Sequence, residues 1–190
     1  ILKDIILLLI KKLPNINLDS KIDYREKYIE NLEQRYIIKS NITNKTFNDI
    51  INHTVNIDHL EPLDIKVWGR KFTIHKTYQD IAIIDFSSFL TEALSANDYK
   101  AIRKKFSLIF IKNLPKLTKE DPNEARRLIL FIDEAYENKL ALIILAECEI
   151  EEIYLHGIGA EAFKRTISRL KEIKSDFYWH HSKIALKSNL

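Results

Sequence analysis

The segment SLIFI, followed after a short break by DPNEARRLILFIDEAYENKLALIILA, constrains this chain more than any other part of it. Asp121 and Pro122 mark a helix start. Asp offers a capping carboxylate, Pro at the first helical position loses no needed donor, and Glu124 can reach back. Leu128, Phe131, Ile132 and Ala135 continue at helical spacing, which predicts a helix to about residue 138. LALIILA is a continuous apolar run, as a strand covered on both faces requires. SLIFI, ended by Pro115, reads as a buried strand before the helix. Strand, helix, strand is a βαβ unit, whose crossover is right-handed in nearly all sheets. The fold class is therefore α/β, a small helical segment followed by a mixed sheet with flanking helices.

The remaining elements follow from local signals. ILKDIILLLIKKL predicts a helix to about residue 13, stopped by Pro14, and INL a short strand. Tyr24, Tyr28, Leu32 and Tyr36 recur at helical spacing after Asp23, a potential N-cap, and predict a helix over residues 24–40. A shorter helix is expected near residues 47–55. IKVWGRKFTI and DIAIIDF, rich in β-branched and aromatic residues, read as two strands joined as a hairpin through the polar KTYQ. Ser95 and Asp98 form a capping box that opens a helix through about residue 105. Residues 1–58 and 59–190 are expected to be separate units.

Composition bounds the function. With 46% hydrophobic and 30% charged residues the chain is globular. Its net charge of +3 gives little support to generic nucleic-acid binding. One cysteine, Cys148, excludes an internal disulfide; it shows no sign of activation and is expected to end or follow a buried strand. The first apolar segment is too short to span a bilayer and is broken by Lys3 and Asp4.

Two motifs suggest chemistry and fail on physical grounds. LILFIDE has the pattern of a Walker B strand, but the capped helix has no breaker before Leu128, so Asp133 and Glu134 are expected within that helix. A P-loop needs clustered glycines followed by Lys and Ser or Thr. None of Gly69, Gly157 and Gly159 begins one. This chain by itself is therefore not expected to bind and cleave ATP in the P-loop manner. His180 and His181, beside Trp179, point apart on a helix and lack suitably spaced partners, so no metal site is expected there and a polar terminal tail is the simpler reading.

VWGRKFTI, LSANDYKAI, NEARRLILFIDEAYENKLALIILAE and FKRTISRLKEIKS, in that order, resemble successive motifs of the ZapE-type cell-division ATPases, AAA-type P-loop ATPases with mitochondrial relatives. IDYR resembles the segment closing that family's nucleotide-binding core. KEIKS, Ala162 before Phe163, and His75 depart from the family pattern. The resemblance implies a P-loop NTPase-like carboxy-terminal half, with residues 1–58 ending the nucleotide-binding core. It implies ATP and magnesium bound mainly by sequence upstream of Ile1. It further implies work in cell division or membrane-protein quality control, in the cytoplasm, at the inner membrane's surface, or in mitochondria of a eukaryote. The expected partners are the amino-terminal ATPase half, further copies of the same protein and a division or membrane-associated protein, with no specific nucleic acid. The order of strand, FIDEAY helix, LIILAE strand and Arg-bearing helix also echoes the family's first half. The alternative class is a non-catalytic interaction module or the remnant of a split gene.

The candidate residues are arginines. Phe163, Ile167, Leu170 and Ile173 form one helical stripe, which sets Arg165 and Arg169 on another face. One account is a solvated face with an Arg169–Glu172 pair. The other rests on RTISRL, which resembles the arginine-bearing segment of AAA-type ATPases, where an arginine's planar fork reaches a nucleotide phosphate. Arg169 is the first candidate, Arg165 the second and Arg70, after Gly69, the third. Arg126 and Arg127, near a helix start, are expected to meet acidic partners or solvent.

Overall fold

The computed structural model describes residue 28 and residues 32–91 and 93–184. The elements are β1 (Tyr36–Ile38), α1 (Asn41–Thr54), β2 (Glu61–Val67), β3 (Arg70–Tyr78), β4 (Ile81–Asp85) and α2 (Phe86–Thr91), then α3 (Ala96–Lys105), β5 (Leu108–Leu114), α4 (Pro122–Glu137), β6 (Ala141–Ala146), α5 (Ala160–Ile173) and α6 (Asp176–His180). Six strands form one mixed sheet in the order β1-β6-β5-β4-β3-β2. The four strands β1, β6, β5 and β4 are mutually parallel, whereas β3 and β2 run antiparallel to their neighbours. The β5–α4–β6 unit is as the sequence predicts. β6 is an interior strand buried at all of its positions, which explains why its sequence does not alternate. This mixed α/β sheet is consistent with a P-loop NTPase-like fold.

Period-two alternation assigns the strand residues to two cores, one on each face of the sheet. Ala82, Ile84, Ile109, Ile111, Leu142 and Ile144 face α3, α4 and α5. Ile83, Leu108, Phe110, Ile143 and Leu145 face the other way, against Phe47, Ile50 and Ile51 of α1 and against Trp179. Burying a side chain of this size contributes about 1.5–3 kcal/mol, so the two layers dominate stability.

Several local expectations need correction. The helix predicted over residues 24–40 does not continue to its end: residues 32–35 are not helical and Tyr36–Ile38 is a strand paired with Ile144–Ala146. YII has high strand preference, and pairing with the buried β6 overrides the helical spacing of the tyrosines. α1 begins at Asn41, earlier than expected, because Ser40 and Thr43 cap it reciprocally. IKVWGRKFTI is itself a hairpin, with Val67 opposite Arg70 and a turn at Trp68 and Gly69. The strand after the turn continues through KTY, and Gln79 and Asp80 make the next turn. Asp121 precedes α4 but does not cap it; its carboxylate accepts from Thr118 N and Oγ1 instead, both at 2.8 Å. The polar tail expected at residues 179–181 is overturned. α6 occupies Asp176–His180 and fully buries Tyr178 and Trp179. The helix of the first residues and the INL strand lie outside the described residues.

Candidate functional site

Two adjacent acids on α4, Asp133 and Glu134, do lie within a helix, as expected. They point to different neighbours. Glu134 receives Arg103 of α3 at 3.0 Å and has Lys100 at 4.0 Å. Asp133 faces α5, where its carboxylate takes Arg165 at 2.5 Å and also pairs with Arg169. Arg169 extends to Glu137 at 3.4 Å and places its guanidinium 5.1 Å from the ring centre of Tyr136. Tyr136 in turn donates to Glu172 at 2.6 Å. Thus Asp133, Tyr136 and Glu137, at spacings of three and four, meet Arg165, Arg169 and Glu172 on a matching ridge.

This geometry revises the solvated-face account. Arg169 is only 17% exposed and is enclosed by two carboxylates and a ring, while Arg165 is 62% exposed although tethered to Asp133. Glu172 serves Tyr136, whose hydroxyl it holds protonated: the hydrogen bond to Glu172 is the main cause of the raised pKa, helped by burial. Arg70 lies elsewhere. Its Nε donates to the fully buried Asp98 at 3.3 Å, a second nitrogen pairs with the same carboxylate, and Nη1 reaches Ala93 O at 3.3 Å. That carboxylate also closes the Ser95 capping box. The structure therefore brings Arg165 and Arg169 together and sets Arg70 apart, where it fastens the β2–β3 hairpin to α3. Arg127 pairs with Glu124 at 3.3 Å.

A second polar cluster was not expected from the sequence. It sits where β4 and β5 end, the carboxyl edge at which open α/β sheets bind ligands. Asp85 accepts from Ser87 N at 3.1 Å, Ser87 Oγ at 2.6 Å and Asn113 Nδ2 at 2.6 Å. Burial pushes the Asp85 carboxyl up, but these hydrogen bonds and the charge of Lys112 outweigh it and hold its pKa low. A register break between Ile111 and Leu114 gives Asn113 a left-handed backbone (φ 57°) and aims it at Asp85. The Lys112 amine is lowered by burial and by nearby Lys76. β3 pairs with β4 only at Thr77 and Tyr78, and where the strands part a cavity of about 180 Å³ opens beside Lys76, Asp85 and Lys112. The available signal was an apolar strand ending abruptly in polar residues, in IAIID and LIFIKN.

Neither cluster fits a complete nucleotide–metal site. Among the described residues no three His, Cys, Asp or Glu side chains converge on a point that could hold a metal ion. No glycine-lined phosphate cradle forms: Gly69 sits in a hairpin turn, and Gly157 and Gly159 precede α5. Cys148 is buried after β6, and burial, with Glu152 beside it, raises its thiol pKa, so it stays protonated. No helix among the described residues is long and apolar enough to cross a membrane.

Comparison with known proteins agrees with this fold and these motifs. The AFG1-like ATPase family model matches residues 2–182. Lactation elevated protein 1 homolog B of Danio rerio is 26% identical over 86% of this chain and 40% of its own length. Cell division protein ZapE of Escherichia coli K12 is 32% identical over 54% of this chain and 27% of its own. An uncharacterized Schizosaccharomyces pombe protein is 28% identical over 92% of this chain and 45% of its own. The chain thus spans less than half the length of these relatives. No solved structure matches significantly. The family implies nucleotide binding with a metal, and the match over nearly every described element places the chain in it: this protein belongs to the AFG1-like ATPase family.

Proposed function

We propose that this chain is the carboxy-terminal portion of an ATP-hydrolysing AFG1-like ATPase, in which Arg165 reaches a phosphate of ATP bound by residues outside this chain. Magnesium would be held there with the nucleotide. The work coupled to hydrolysis would be cell division or membrane-protein quality control. One observation carries the reading: of two arginines on one ridge, Arg169 is mostly enclosed between Asp133 and Glu137 while Arg165 remains 62% exposed on the same Asp133 carboxylate. Asp133 and Arg169 then form a base from which Arg165 extends outward, and its planar guanidinium fork suits bidentate contact with a phosphate.

Arg165→Ala in the full-length protein should lower kcat about 10³-fold or more, as loss of an arginine finger does, with an unchanged melting temperature. Arg169→Ala should also lower the melting temperature, because it removes the base. Unchanged turnover by a folded Arg165→Ala variant rejects the phosphate role. That result would favour the alternative, a non-catalytic interaction module, to which the existing carboxylate partners of both guanidiniums already lend support.

A further inference from the structure

β2 is the outer strand of the sheet, and among the described residues it pairs with β3 alone. The loop at Trp68 and Gly69 has two residues, both with positive φ (46° and 82°), which is the primed turn of a tight hairpin. Val67 and Arg70 flank it and therefore exchange main-chain hydrogen bonds. The alternation then directs the N–H and C=O of Ile65 inward, and those of Lys66 and Asp64 away from β3. These outward groups border an open groove of about 590 Å³ whose opposite wall is the face of α3 bearing Asn97, Lys100 and Lys104.

The groove is basic. Lys66, Lys100, Lys104 and Lys105 line it, and its one acid, Asp64, is engaged by Lys71 at 2.9 Å and Thr73 at 2.7 Å. Trp68 stands at its end, 88% exposed. An indole is an unfavourable choice for a free turn position, where Asn or Gly carries positive φ at least cost. A large, pre-positioned aromatic at the end of a groove is the kind of residue that anchors protein interfaces.

We propose that this groove receives an extended, acidic segment of a partner protein, which adds to β2 as a further strand. Its main chain bonds to Asp64 and Lys66, its carboxylates meet Lys100 and Lys104, and an apolar side chain packs on Trp68. Charge selects this occupant. A second copy of β2 would bring its own Lys66 into the same basic groove, where like charges across strands repel, and of its two acids Asp64 is already held by Lys71 and Thr73. Residues 1–27 carry six Lys or Arg against four Asp or Glu, so they do not supply the complementary charge. The proposal is independent of any nucleotide.

The test is fluorescence anisotropy with the intact protein and a labelled octapeptide alternating Glu or Asp with Val or Ile. Binding should weaken at least about tenfold with Trp68→Ala, as for an interface anchor, and more with Lys100→Glu combined with Lys104→Glu. Lys66→Pro should abolish it, since that outward N–H is not used by β3. If that variant fails to fold, the same peptide N-methylated at alternate residues should fail to bind the unaltered protein. Equal binding of the N-methylated peptide, or of a lysine-for-glutamate peptide, would overturn strand addition at a basic groove. Tighter binding of a single-stranded DNA oligonucleotide than of the acidic peptide would also overturn it.

Discussion

Asp98 has no exposed surface, yet its carboxylate receives two nitrogens of Arg70 and both the N–H and hydroxyl of Ser95. A buried carboxylate is tolerated only when such donors replace water. Asp98→Ala should therefore lower stability by about 3 kcal/mol, combining a lost helix cap with a broken ion pair whose carboxylate is buried and whose guanidinium is half exposed. For a chain of this size that is a fall of roughly 6–12 °C in Tm. A calorimetric shift under 2 °C would show that Arg70 and Ser95 find other partners. The sequence displayed the local half of this arrangement, because Ser95 and Asp98 are three residues apart. The other half was hidden, since Arg70 is 28 residues distant and only the hairpin's return brings it over α3. The same holds at the carboxyl edge: Asp85 and Asn113 are also 28 residues apart, and nothing local announces that β4 and β5 are parallel neighbours.

At the level of elements, strong local chemistry was legible and competition was not. The Ser95 box and the apolar run of β6 each have one structural solution and appear as read, and α4 starts at Pro122 as read although Asp121 does not cap it. Residues 24–40 offered two, a helical tyrosine spacing and a β-branched end, and sheet pairing decided for Tyr36–Ile38. α6 was illegible because five residues carry too little pattern, and its placement depends on Arg35, which bonds Asp176 at 2.7 Å and lies 4.9 Å from the Trp179 ring centre. For the arginine ridge, the four-residue spacing was visible, but which helix it would meet was a question of packing. The position of α5 depends on the turn before it. Gly157 has φ 132°, and a Cβ there would collide with the Tyr154 hydroxyl and lie 3.0 Å from Lys119 Cα. Gly157→Ala should shift α5, cost at least about 2 kcal/mol and speed amide exchange along α5 more than along α1. Equal protection of both helices in the variant would mean that the turn absorbs the change.

Across the molecule, the described residues form a sheet with a core on each face, and its most buried parallel strands end in a polar crevice where those residues build no phosphate loop. Asp85, held low by its donors, and Lys112 supply charge at that edge, but a triphosphate needs several converging backbone N–H groups as well. A left-handed Gly69 at the hairpin turn and two glycines ahead of α5 do not build such a nest. The purified 190-residue chain should therefore show no magnesium-dependent ATP hydrolysis above that of a matched blank. Isothermal titration with ATP and magnesium should give no saturable heat at millimolar nucleotide, where simple attraction to lysines would still produce weak, salt-sensitive signals. Saturable binding that resists 0.5 M salt would demand a cradle built from side chains rather than glycine N–H groups. The crevice beside Lys76, Asp85 and Lys112 would then be the place to seek it, and Lys112→Ala the variant to abolish it. Loss of binding in Arg165→Ala instead would put the phosphate on the α4–α5 ridge of the same chain, and the arginine would be acting within its own molecule.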